Sequence, residues 1–139
     1  MGLRVATGLE RIAQSDEAVL ARLRGKRLGL CAHPASVDGR LRHARHVLEG
    51  QGLQLRALFG PEHGYGGEAQ DMIAVRDAAP EELPVHSLYG DSEAALSPTA
   101  EQLAGLDALV IDLQDVGARY YTFVWTAVLV LRAAAARGI

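Results

Sequence analysis

Apolar residues fall into short runs separated by amphipathic stretches, and most runs stop at a polar or glycine-rich loop. Ser15, Asp16 and Glu17 read as a helix start, because small polar residues satisfy the first free N–H groups and acids suit the positive end of the helix dipole. The helix continues through residues 18–23, and Gly25 ends it. Residues 26–32 read as a buried strand in which Leu28, Leu30 and Cys31 are apolar and Gly29 permits close packing. Residues 40–49 are expected to be helical, with Gly50 and Gly52 as terminators. Residues 53–59 make a second strand, and residues 84–88 a short third one at an edge. Ser97 before Pro98 predicts an N-cap with proline at the first helical position, and a helix to about residue 104. Residues 106–113 carry the strongest buried-strand signature, Ala108-Leu109-Val110-Ile111. A long apolar helix is expected from Tyr120 or Tyr121 to Arg137, stopped by Gly138. Residues 72–82 are the least readable stretch, with an extended segment near residues 73–75.

Strands that alternate with helices imply parallel pairing through right-handed crossovers. The expected fold class is therefore α/β, a doubly wound, mostly parallel sheet with helices on both faces. The 139 residues are about one domain's worth, enough for a single sizeable core, and no repeat or low-complexity linker divides them. The last helix is apolar nearly all round (Val124, Trp125, Val128, Leu129, Val130, Leu131), and such a helix needs cover on both sides. The chain also stops where another strand is expected to begin. The expectation is the front part of a longer protein, or a helix covered by a partner; truncated chains exposing it would self-associate.

In an open parallel sheet, ligands bind in the crevice at the carboxyl ends of the strands. Three chemically rich loops follow strands here: Cys31-Ala32-His33-Pro34-Ala35-Ser36-Val37-Asp38, Gly60-Pro61-Glu62-His63-Gly64-Tyr65-Gly66-Gly67-Glu68, and Asp112-Leu113-Gln114-Asp115-Val116-Gly117-Ala118-Arg119-Tyr120-Tyr121. Their convergence on one edge is the main reason to expect catalysis. In the second loop, proline fixes the backbone and glycine allows close approach, so Glu62 is held where a ligand can reach it. A carboxyl group in such a crevice serves as a general acid when desolvation raises its pKa. The plainer alternative is that Glu62 caps a backbone amide or pairs with Arg119. His63 either binds substrate or satisfies a buried carbonyl, and Glu68 reads as solvated or substrate-binding. In the third loop Asp112 belongs at the rim of the core, while Asp115 is freer to meet a ligand or to hold Arg119. Arg119 with Tyr120 and Tyr121 suits a sugar that bears a carboxylate, the guanidinium taking the anion and the aromatic faces the ring. An internal salt bridge with tyrosine packed beneath fits the same residues. His33 and Asp38 add polar contacts from the first loop.

Charge narrows the partners. Lys and Arg number 14 against 17 Asp and Glu, without the basic concentration that a nucleic-acid surface needs. Arg40, Arg42, His43, Arg45 and His46 read as the solvated face of a helix. The one cysteine, Cys31, lies in an apolar strand and permits no disulfide framework. No apolar run approaches the roughly 20 residues that span a bilayer, and the first ten residues lack a secretion-signal core. As written, the chain reads as soluble and cytoplasmic; a secreted or periplasmic protein trimmed of its leader would read the same. His33, Glu62, His63 and Asp115 are ordinary ligands for divalent ions, but no H-x-x-x-H or C-x-x-C spacing supports a metal site. Gly64, Gly66 and Gly67 lack the lysine and the glycine order of a phosphate-binding loop. No cofactor is expected.

Three blocks carry a resemblance. Ala57-Leu58-Phe59-Gly60-Pro61-Glu62-His63-Gly64, Val85-His86-Ser87-Leu88-Tyr89-Gly90 and Asp112-Leu113-Gln114-Asp115-Val116-Gly117-Ala118-Arg119-Tyr120-Tyr121-Thr122 resemble the signatures of the bacterial exo-β-N-acetylmuramidase family, NamZ type. The likeness runs in order over essentially the whole chain, and the Gly-Pro-Glu-His-Gly and Gln-Asp-Val-Gly-Ala-Arg blocks are its specific part. It implies that residues 1–139 form a Rossmann-like N-terminal catalytic domain, followed in the family by a smaller C-terminal domain absent here, with the active site in the cleft between them. It implies release of terminal N-acetylmuramic acid from a peptidoglycan-derived muropeptide or disaccharide, in cell-wall turnover or recycling. Carried over, Glu62 becomes the catalytic acid, and His63, Arg119, Tyr120, Tyr121 and Asp115 become candidates for holding the muramic acid, whose lactyl carboxylate needs a cation. Glycosidases usually employ a second carboxylate, and Asp115 is the candidate for it. Relatives usually carry Thr-Asn where this chain has Ala32-His33, and an Arg where it has Gly66; both departures bear on first-loop contacts, His33 among them, and on substrate preference. The competing readings are a non-catalytic muropeptide-binding module, and a metal-dependent hydrolase using His33, Glu62, His63 and Asp115. With half of its cleft missing, the piece alone is not expected to be active.

Overall fold

Leu28, Leu30, Cys31 and Ala32 have no solvent exposure, which places their strand, β1 (Arg27–Ala32), at the centre of the sheet. The computed structural model describes residues 5–66 and 83–139. Gly67, Glu68 and the extended segment expected near residues 73–75 lie outside them. The elements run α1 (Gly8–Ala13), α2 (Glu17–Leu20), β1, α3 (Ala44–Gly50), β2 (Gln54–Gly60), β3 (Val85–Ser87), a 3₁₀ turn (Glu93–Leu96), β4 (Ala108–Asp112) and α4 (Phe123–Ala135). All pairings are parallel, in the order β3-β2-β1-β4. The order reverses between β1 and β4, the kind of switch point at which α/β sheets bind ligands.

Side-chain alternation along β1 builds two layers. Leu28, Leu30 and Ala32 join Leu9, Ile12, Leu20, Val47 and Leu48 of α1–α3 in one core. Cys31 joins Phe59, Leu103, Leu106 and Val130 of α4 in the other. Helices thus cover both faces. Burial pushes the Cys31 thiol up to about 12. The β1–β2 register skips Arg56, since Leu28 faces Leu55 but Gly29 faces Ala57. That irregularity leaves Arg56 exposed while Leu55 and Leu58, three apart, reach the same core. A side chain at Gly29 would lie 2.5 Å from Leu109 Cδ2, so glycine is what lets β1 and β4 pack.

Several boundaries differ from expectation. α1 is an additional helix, nucleated by a capping box in which Thr7 and Glu10 exchange side-chain-to-backbone bonds. α2 is capped by Asp16 rather than Ser15 and lasts only to Leu20. Residues 40–43 form a loop, not a helix. Buried Asp38 takes the N–H groups of Arg40 and Arg42 and the Arg42 guanidinium, and α3 starts only after His43 caps it. Residues 98–104 contain turns instead of a helix. Thr99, not Ser97, makes the reciprocal cap with Gln102, and Gly105 at φ +79° reverses the chain before helix propagation can offset the cost of nucleation. α4 begins at Phe123 because a tight turn, Tyr121 N–H to the Ala118 carbonyl, holds the residues before it. Its Phe123, Thr126, Val130 and Ala134 are buried, while Val124, Trp125 and Leu131 are exposed. No helix among the described residues is long and apolar enough to cross a membrane.

Asp107 ties the start of β4 to β1, accepting bonds from the Arg27 N–H and guanidinium. The guanidinium holds its carboxyl well below the usual range, and the Arg42 backbone N–H does the same, less far, for Asp38. A carboxyl whose pKa is lowered by folding adds stability above its unfolded pKa and loses it as pH falls through the folded one. Denaturant unfolding from pH 7 to 2 should therefore show stability falling once pH drops below about 4, and Asp107→Asn should flatten that fall. An acid limb unchanged in the variant refutes the assignment.

Candidate active site

The loop after β2 is folded back on itself. Gly64 N–H bonds to the Pro61 carbonyl at 2.9 Å, and a side chain at Gly60 would lie 2.3 Å from the Tyr65 backbone nitrogen. His63 and Gly64 both adopt left-handed backbone, at φ 71° and 80°. For histidine this conformation costs on the order of 1 kcal/mol and persists only because its surroundings impose it. The turn presents the Glu62 side chain at the carboxyl edge of the sheet.

One hydroxyl binds that carboxylate: Thr122 Oγ1 donates to Glu62 Oε2 at 2.7 Å. Glu62 also acts on the Tyr89 phenol, through side-chain hydrogen bonding and then through its charge, and raises the Tyr89 pKa. Thr122 closes the loop after β4 and Tyr89 lies in the loop after β3, so three loops converge on one acid. Beside it is a cavity of about 280 Å³ lined by Glu62, His63, Tyr120, Tyr121, Thr122 and Phe123. Two larger surface hollows, of about 470 and 610 Å³, lie elsewhere. Of the four arginines that line them, Arg42 and Arg45 are paired with Asp38 and Glu49, and neither hollow gathers the loops at the strand ends.

Phe123 carries the cavity down to the first loop. Its ring meets Tyr121 edge-on at 5.0 Å and His33 at 4.8 Å. His33 is buried under it, Nε2 facing the Gln114 N–H at 3.4 Å and its carbonyl bonded to His43 Nε2 at 3.0 Å. Burial, then the nearby His43, lower the His33 pKa. His33 thus supports the cavity from beneath and is not among its lining residues. Ser36 links the first and third loops by donating to the Asp112 carbonyl. Burial raises the Asp112 pKa, and its Oδ2 has no hydrogen-bond partner among the described residues.

The remaining candidates stand further out. Asp115 is exposed and accepts the Gly117 N–H in a local turn. Arg119 is exposed, and among the described residues no ion pair joins it to Asp115 or Glu62. Tyr120 is 89% exposed and Tyr121 40% exposed at the cavity mouth. Among the described residues no group of three or more His, Cys, Asp and Glu side chains is placed to hold a metal ion. Sequence reasoning did not single out Thr122, Tyr89 or Phe123. Thr122 and Tyr89 end or nearly end two of the blocks that carried the resemblance, which was the available signal.

The fold is a Rossmann-like α/β sheet with a hollow at the carboxyl edge of its parallel strands. Residues 28–139 match the family model for "Exo-beta-N-acetylmuramidase NamZ, N-terminal", and the chain belongs to that family. It is 39% identical to the peptidoglycan beta-N-acetylmuramidase NamZ of Bacillus subtilis (strain 168), over 98% of this chain and 32% of that protein. Two crystal structures of DUF1343 family proteins from Bacteroides fragilis NCTC 9343 share the fold. One has a TM-score of 0.79 and 35% identity, covering 98% of this chain and 33% of the other. The second has a TM-score of 0.69 and 26% identity, covering 94% and 31%. The chain spans about a third of the length of these relatives.

The Gly60 contact gives a direct check on the loop. Gly60→Ala should lower unfolding stability by about 1–3 kcal/mol, because the clash is with backbone that cannot rotate away. Gly50→Ala, in α3 at a position with open space, should leave it unchanged or raise it by up to about 1 kcal/mol. Equal effects in chemical denaturation would show that the Gly60 contact is not a constraint.

Proposed function

We propose that this chain forms the acid-bearing part of a glycosidase that releases terminal N-acetylmuramic acid from peptidoglycan fragments during cell-wall turnover. One observation carries the reading: a carboxylate held by Thr122 in a hollow whose wall includes Tyr120 and Tyr121. Membership of the family supports a peptidoglycan glycosidase. Glycosidic cleavage builds an oxocarbenium-like state and needs a proton delivered to the departing oxygen. Glu62 is the group we assign to that delivery.

Tyr120 and Tyr121 offer flat apolar faces to a sugar ring. Arg119, next along the same loop, is our candidate for the lactyl carboxylate, and His63 lines the same hollow as a further candidate for the sugar. Asp115 is the proposed second carboxylate; its loop position allows approach to a bound sugar once the turn at Gly117 adjusts. The relatives are about three times longer, and we propose that the remainder of such a protein completes the cleft above Tyr120 and α4.

The deciding experiment is Glu62→Gln in the intact gene product, assayed on a chromogenic muramide. Turnover should fall by about 10²–10⁴ while the substrate still binds. Turnover within several-fold of the parent would remove Glu62 from the chemistry. Sugar binding by calorimetry without any release by the parent protein would favour a pure binding module instead.

A further inference from the structure

A threonine at the start of a helix usually turns its hydroxyl onto an N–H of the first turn. Thr122 precedes α4 and makes no such bond; its own backbone is already helical, at φ −91° and ψ −8°. The hydroxyl reaches instead to Glu62 Oε2, in a loop 60 residues away in sequence. A local cap has been given up for a carboxylate at the edge of the cavity. Thr122 is also half-buried and lines that cavity, so little solvent competes for the bond. The helix itself is held elsewhere, through Phe123, Thr126, Val130 and Ala134.

We infer that Thr122 is a positioning residue, which sets the plane of the Glu62 carboxyl group relative to the cavity. The inference rests on the reading of Glu62 as the proton donor. A carboxyl group on a flexible side chain turns almost freely about its last bond. One hydroxyl anchors one oxygen and so limits that rotation. The two carboxyl oxygens offer about four lone-pair sites, so one such bond leaves a site for the proton that the group would pass to a substrate oxygen. Productive proton transfer needs donor and acceptor within about 3 Å and aligned, so this freedom translates into rate. The bond also ties the β2 loop to the front of α4, which makes a plain structural brace the alternative to be excluded.

Thr122→Val keeps the shape and removes the hydroxyl; Thr122→Ser keeps the hydroxyl. Both are made in the intact gene product and compared with Glu62→Gln on the chromogenic muramide. For Thr122→Val, kcat should fall about tenfold or more, with KM within about twofold. Thr122→Ser should recover most of the rate. Tyr89→Phe should lower kcat in the same manner, which keeps the question answerable if Thr122→Val folds poorly. Unchanged kcat in Thr122→Val, or a loss that serine does not rescue, overturns the positioning role. If Glu62→Gln is inactive in that case, the acid assignment stands alone. If Glu62→Gln retains turnover, that assignment falls and this inference falls with it.

Discussion

β1 is enclosed on both sides, Leu28, Leu30 and Ala32 against the α1–α3 layer and Cys31 against Phe59 and the α4 layer. Burying each of these leucines is worth about 1.5–3 kcal/mol, and only a central strand can gain it on two faces at once. With β1 in the middle, β2 and β4 must flank it in parallel, and their carboxyl ends then open onto one edge. Glu62 and Thr122 are neighbours as a result of that arrangement. Gly29 is where the constraint is tightest, since Leu109, Leu106 and Phe59 occupy the space a side chain would need.

From this edge the site is built by loops that brace one another. Gly60 lets the β2 loop fold onto its own backbone, and the strained His63 follows within the same turn. Ser36 joins the first loop to the third, and His33 sits under Phe123. The Glu62 carboxylate is therefore mounted on a tight turn and held by Thr122 from the loop after β4. The outer residues are less constrained. Asp115 and Arg119 are exposed on a loop whose internal bond is a local turn at Gly117.

The exposed side of α4 fits this division. Val124, Trp125 and Leu131 are exposed along the helix that follows the cavity-lining Thr122 and Phe123. The two structural relatives share the fold described here over about a third of their own length.

Local pattern was enough for the parallel α/β class, the four strands and the loops that bear chemistry, because strand burial and glycine or proline punctuation are written over a few adjacent residues. Even the unexpected α1 had a local mark, the Thr7–Glu10 capping box. The failures share a cause. Residues 40–43 have helical composition, but Asp38 competes for their N–H groups; residues 98–104 have a helix start but no room to extend before Gly105. At the site, Glu62 was legible because Pro61 and the glycines around it announce a fixed turn. Thr122 and Tyr89 were not, since a threonine before a helix reads as a cap and a tyrosine after a strand as packing. Which acceptor a hydroxyl takes depends on what lies within 3 Å of it, and sequence alone does not order residues 60 positions apart by distance. The chain's own pattern determined the sheet and the position of the acid; the tertiary structure alone decided which groups hold that acid, because hydrogen bonds are made between neighbours in space.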